Sequence, residues 1–196
     1  MVSSRGFTKR KIPGSLMKRV LVVDNHSKHT AKIARLFSGD SVGICQCENF
    51  EPEKAERFDL VVFSGGSHTY AADNTKNAYA TEIEFIKNTI MPVVGICLGC
   101  QLIAKAFGGS LSKLDEKING ICDIEFSGKK HKVYESHKYV IHDLPPELSV
   151  IGHSDTGPEI IRHQTKPILG FQFHPEVYPR KSDGKTLFWK IMKDIV

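Results

Sequence analysis

The chain has 196 residues, 40% of them hydrophobic and 25% charged, enough apolar material for one buried core and too little length for two domains of ordinary size. No window approaches the roughly 18 apolar residues of a membrane span, and the N-terminus lacks the apolar centre of a secretory leader, so the expectation is a cytoplasmic chain with no membrane partner. The formal charge of +5 gathers at the front, on Arg5, Lys9, Arg10, Lys11, Lys18 and Arg19, and the near-neutral remainder argues against a nucleic-acid partner.

Residues 1–17 carry "MVSSRGFTKRKIPGSL" and then Met17, with no acid and no periodicity, and read as a flexible basic tail or an over-long start. A basic arm that touches a partner or RNA is the alternative. The domain proper is expected over 18–196. "KRVLVVDN" is a first buried strand, and "SKHTAKIARLFSG" has helical spacing from Ser27 to Gly39. "SVGICQC" and "FDLVVFSGG" are two further strands, "YATEIEFIKNTI" a helix, and "PVVGI" a continuous apolar strand. "LGCQLIAKAFGG" is a helix that Gly108 and Gly109 close. This βαβ order predicts an α/β fold, a three-layer sandwich around a mostly parallel central sheet.

From Leu111 the texture changes to short β-like runs, "GICDIEF", "HKVYESHKYVI", "LSVIGHS", "PEIIRH" and "KPILGFQFHPE", which predict hairpins and a small antiparallel part in the C-terminal half. "GKTLFWKIMKDIV" is a closing helix with Leu187, Phe188, Ile191, Met192 and Ile195 on one side.

The five cysteines are odd in number and scattered through apolar segments, the usage of free thiols in a reducing compartment. Cys97 stands apart. "VVGICLGCQ" puts it between a buried strand and a helix N-terminus, in the frame Gly95-x-Cys97-x-Gly99. A nucleophile at a tight strand-to-helix turn needs neighbours without side chains, the next residue can offer its N–H to an oxyanion, and the helix N-terminus favours a thiolate. A thiolate needs a base, and "GFQFHPEV" supplies His174 with Glu176 two residues on, which on an extended segment share one face. Glu176 could then orient one ring nitrogen while the other faces the thiol.

Together "GICLGCQ", "QFHPE" and the upstream "VFSGGS" resemble the class I glutamine amidotransferases, from about Lys18 to the C-terminus. Within that family "LVVDNHSKHTAKIARLF", "SHK" at 136–138, "HSD" at 153–155 and "TKPILGFQFHPEV" look closest to the free-standing glutaminase subunits of archaeal-type GMP synthetases. The resemblance implies a flavodoxin-like domain, with Cys97 as nucleophile, His174 as base and acid, and Glu176 as its orienter. It implies an oxyanion hole from the N–H of Leu98 and one near Gly66. Gln101 would contact substrate, and the main chain of Ser136, His137, Lys138 and Tyr139 would hold its amino-acid end. The implied reaction is hydrolysis of L-glutamine to glutamate and ammonia through a cysteine thioester. The implied partner is a separate ATP pyrophosphatase-type synthetase that aminates XMP to GMP, with ATP and magnesium on that partner, no cofactor in this chain and no metal.

Three departures from the family pattern stand out: Ser67 and His68 where Gly-Gly usually continues with proline, Tyr139 in place of an acid after "SHK", and His26 to His29 where a Gly-Gln-Tyr-like segment is usual. Anthranilate or aminodeoxychorismate synthesis, a γ-glutamyl hydrolase on the same scaffold and a non-catalytic regulator are the rival readings. Cys97-Leu-Gly-Cys100 also spells C-x-x-C, but no second pair lies at finger spacing and Cys100 is expected to pack in the core. Cys45 and Cys47 alternate on a strand and read as buried small residues. His68, His131, His142, His153 and His163 lack ligand spacing, and Asp155 is either a turn residue or an interface contact.

Overall fold

The computed structural model describes residues 17–66 and 78–195; the basic segment 1–16 and the Ser67 and His68 departure lie outside the described residues. The apolar runs become strands β1 (Arg19–Asn25), β2 (Ser41–Gln46), β3 (Leu60–Gly66), β4 (Val93–Ile96) and β9 (Ile168–Phe171), which pair in parallel in the order β2-β1-β3-β4-β9. Both faces of this sheet are covered, so its residues alternate between two apolar clusters. Leu21, Val23, Val61 and Phe63 meet α3 (Ala80–Asn88) and α4 (Leu98–Ala106), whereas Val20, Val22, Leu60 and Val62 meet α1 (Thr30–Leu36) and α5 (Gly184–Met192). Helix α2 is the short Pro52–Ala55 turn. The three expected layers are present.

The antiparallel part is larger than expected and continues the same sheet. Strands β5 (Leu111–Phe126), β6 (Lys129–Ile141), β7 (Leu148–Ser154) and β8 (Gly157–His163) extend it as β9-β8-β7-β5-β6. Ser127 and Gly128, at φ 52° and 69°, turn β5 back onto β6, the left-handed pair that a two-residue hairpin loop requires. The sequence shows only short runs here because the β5–β6 register shifts between Lys113 and Ile118, across the exposed Asp115, Glu116 and Lys117.

Two other boundaries differ from expectation. Helix α1 begins at Thr30 rather than Ser27, because Asp24 Oδ1 accepts from the Ser27 N–H at 2.9 Å and from Thr30 Oγ1 at 2.6 Å and holds the intervening residues in a turn. Strand β2 ends at Gln46, so Cys47 opens a 3-10 turn instead of alternating with Cys45; both still pack against the α3/α4 cluster.

Helix α4 lies unusually close to the sheet. A Cβ on Gly95 would sit 2.3 Å from the Gly99 carbonyl, and one on Gly99 would sit 2.3 Å from the Phe63 carbonyl oxygen. These obstacles are backbone and cannot swing aside. Gly99→Ala is therefore expected to lower stability by about 3 kcal/mol as α4 is forced off β3. Urea denaturation of the variant would measure this, and an unshifted midpoint would disprove the close crossing.

Glu82 is buried within α3 at 1% exposure, with Oε1 unpartnered among the described residues, and burial pushes its carboxyl up to about 7. An acid whose folded-state pKa is raised holds its full stability contribution below the unfolded value near 4.5 and loses it as pH rises toward 7. Glu82→Gln should thus stabilise the chain at pH 8 by an amount on the order of 2 kcal/mol and change little at pH 4. Thermal unfolding at the two pH values is the check; equal shifts at both would contradict the burial argument.

Candidate active site

The carboxyl ends of the parallel strands open into a cleft of about 730 Å³. Cys97 sits between β4 and α4 with φ 52° and ψ −103°, a left-handed backbone that a non-glycine residue rarely adopts. It is fixed from both sides, its N–H donating to the Phe171 carbonyl at 2.7 Å and its carbonyl accepting from the Gln101 N–H at 3.1 Å. The thiol is therefore aimed by the close packing that Gly95 and Gly99 allow.

His174 and Glu176 lie beyond the end of β9, and the chain turns through Pro175 so that the Val177 N–H reaches the His174 carbonyl at 3.2 Å. The turn, not strand alternation, brings their side chains together. His174 Nδ1 lies 2.7 Å from Glu176 Oε1, and both residues are buried. Burial works against a charged ring, but the Cys97 sulfur and the Glu176 carboxylate outweigh it and hold His174 up to about 10. With Nδ1 taken by Glu176, Nε2 is left to face Cys97.

At the end of β3 a Cβ on Gly66 would lie 2.4 Å from Leu98 Cδ2, so Gly66 and the first residue of α4 border the cleft side by side. Gln101, one turn into α4, donates from Nε2 to the Tyr139 carbonyl at 2.9 Å and to Gln172 Oε1 at 3.1 Å. This fixes the Gln172 amide so that its Nε2 points at Cys97 Sγ, 3.7 Å away. Ser136, His137, Lys138 and Tyr139 line the cleft from within β6. The Tyr139 carbonyl is already engaged by Gln101 and by His137 Nδ1, and the His137 ring is buried against Glu135. Main-chain capture of substrate along this segment thus excludes the Tyr139 carbonyl.

Residues 21–193 match the model of the class-I glutamine amidotransferase family. The chain belongs to that family. The glutamine-hydrolyzing GMP synthase subunit of Pyrococcus furiosus is 34% identical over 171 residues, covering 81% of this chain and 89% of its own. The Methanothermobacter thermautotrophicus protein of the same name is 29% identical over 185 residues, covering 88% and 95%. A crystal structure of a putative GMP synthase subunit from Thermoplasma acidophilum superposes with a TM-score of 0.79 at 26% identity, over 91% of this chain and 94% of that one. A glutamine amidotransferase from Thermotoga maritima shares the fold, with a TM-score of 0.68 at 21% identity over 92% and 84% of the two chains.

In this amidotransferase two residues beside Cys97 and His174 had no assigned role in the sequence. Gln172 lies inside the quoted "GFQFHPEV", two residues before His174, and its contact with the sulfur depends on the distant Gln101. His29 occupies one of the departing positions after β1. Its ring stands edge-on to that of His174, centroids 5.7 Å apart, and neither nitrogen has a hydrogen-bond partner among the described residues. Burial first, and the charge of His174 second, push His29 down to about 4, so this second imidazole stays neutral beside the charged one.

The other cysteines of the amidotransferase are placed differently from Cys97. Cys100 is fully buried, its thiol pushed well up by burial and by the charges of Glu159 and Cys97, and it fills core space beside Gly170. Cys47 meets His26 and Glu48 at the exposed rim. No helix among the described residues is long and apolar enough to cross a membrane.

Proposed function

We propose that this chain is the glutamine-hydrolysing component of a two-subunit GMP synthase, making ammonia for a separate synthetase. The observation that carries this is the Cys97–His174–Glu176 arrangement at the mouth of a cleft, in a chain matching glutaminase subunits over most of their length. The Cys97 thiolate attacks the γ-carbonyl carbon of L-glutamine, and negative charge builds on the carbonyl oxygen beside Gly66 and Leu98. As the tetrahedral adduct collapses, the C–N bond breaks and the leaving nitrogen takes the proton of His174 Nε2, departing as ammonia. A water molecule then gives a proton to Nε2 and attacks the γ-glutamyl thioester, the C–S bond breaks, and glutamate leaves with the thiolate restored. Gln172 donates to the sulfur in its anionic forms, and Gln101 holds that amide in position.

The sequence carries no P-loop and no Ser-Gly-Gly-x-Asp-type phosphate loop, so ATP and magnesium belong to the partner, an ATP pyrophosphatase-type synthetase that aminates XMP. The purified chain should release glutamate and ammonia from glutamine faster when that synthetase, XMP, ATP and magnesium are present, with GMP formed. Glutamine hydrolysis indifferent to this mixture would keep the chemistry and remove the partner. Hydrolysis of γ-glutamyl peptides but not of glutamine would remove the amidotransferase reading.

A further inference from the structure

Away from the triad, two carboxyl groups and an imidazole meet inside the antiparallel half of the sheet. Glu135 and His137 stand two apart on β6 and share a face, while Glu159 comes from β8, which is not adjacent to β6 in the sheet order. Glu135 and Glu159 are each 1% exposed and His137 4%. One donor atom from each lies within 4.8 Å of the other two. His137 Nε2 is 3.0 Å from Glu135 Oε2, and Ser154 Oγ donates to Glu159 Oε1 at 2.8 Å. The remaining carboxyl oxygens, Glu135 Oε1 and Glu159 Oε2, have no hydrogen-bond partner among the described residues, which buried carboxyl oxygens seldom tolerate.

Hydrogen accounting sharpens the problem. His137 Nδ1 lies 3.1 Å from the Tyr139 carbonyl oxygen, which can only accept, so Nδ1 carries the ring hydrogen. Nε2 and Glu135 Oε2 then share one hydrogen between them, which leaves nothing for Glu135 Oε1. A second buried carboxyl group, that of Glu159, stands beside them with its Oε2 likewise unanswered among the described residues. A bound cation would answer every one of these unsatisfied acceptors at once.

We infer that Glu135, His137 and Glu159 form a buried binding site for one divalent cation of the zinc type. One imidazole nitrogen and two carboxylates are a donor set that zinc accepts, and the charges of ion and ligands cancel. Magnesium and calcium seek six or more oxygens, whereas the group among the described residues offers two carboxylates and an imidazole. Zinc–ligand bonds of about 2.1 Å place tetrahedral donors about 3.4 Å apart, so the side chains need close by little more than an ångström. Ser154 orients Glu159 from outside the ligand set, and the Tyr139 carbonyl orients His137. His137 also borders the cleft, so the three residues lie directly behind its wall. Once bound, it would tie β6 to β8 and anchor the segment whose carbonyl holds Gln101. None of this rests on the glutaminase reading.

The test uses the full chain carrying Cys97→Ala, so that the catalytic thiol cannot compete, stripped of metal and titrated with Zn²⁺ against a chromophoric chelator. One equivalent should bind with micromolar or tighter affinity and raise the melting temperature. Glu135→Gln and Glu159→Gln in that background should each abolish tight binding and the thermal shift; as neutral isosteres they relieve a buried charge, and circular dichroism verifies their fold. Cys47→Ser, which removes a donor from the exposed group with His26 and Glu48, should leave both effects intact. The inference is overturned by an absence of saturable binding, by binding that survives both glutamine variants, or by binding lost in Cys47→Ser.

Discussion

Cys97→Ala should remove all measurable glutamine hydrolysis while the chain folds with near-native stability. In the proposed mechanism the sulfur forms and breaks the bond to the γ-carbon, and the neighbouring thiol cannot substitute, since Cys100 is fully buried with its ionisation suppressed. Removing such a nucleophile takes rate losses of about a millionfold in enzymes that act through one. The fold should survive because Cys97 is held by its backbone, through the Phe171 carbonyl and the Gln101 N–H, and alanine keeps both contacts. Ammonia release and chemical denaturation measured on the same preparation decide the matter. Residual ammonia release at the wild-type rate would refute the nucleophile; a collapse of the fold would refute the account of how it is held.

Glu176→Gln is expected to lower kcat by about a hundredfold or more with little change in KM, since the residue is buried behind His174 and does not line the cleft. The pH dependence has a definite sign. The neighbouring sulfur and carboxylate hold His174 up to about 10 against the effect of burial. Without the Glu176 charge the imidazolium loses its proton at lower pH, so the alkaline limb of the kcat profile should move downward. A variant with reduced kcat but an unmoved alkaline limb would mean that Glu176 acts only by packing.

The parallel half of the fold was legible because its signal is local. "LVVD", "LVVFSGG" and "PVVGI" are buried on both faces, so each reads as an uninterrupted apolar run, and the glycines around Cys97 mark the one crossing where α4 must touch the sheet. The antiparallel half was legible only in fragments. Its longest strand is broken in register at residues 113–118 and carries exposed charges there, so no period-2 pattern runs through it. The same division holds for the cleft. Cys97, His174 and Glu176 announce themselves through short spacing, and Gly66, Leu98 and Gln101 enter through resemblance. Gln172 and the Glu135–His137–Glu159 group depend on pairings between strands and helices far apart in the chain, which no local pattern encodes.

The left-handed backbone at Cys97 has a consequence for descent. A non-glycine residue in such a conformation carries about 1–3 kcal/mol of strain, and glycine would carry almost none. Cysteine is thus the less stable choice at this position, kept only while the sulfur is used. Cys97→Gly should be inactive yet harder to unfold than Cys97→Ala. In a lineage that no longer needed the reaction, mutation would drift position 97 toward glycine while Gly95 and Gly99, which the packing itself demands, stayed as they are.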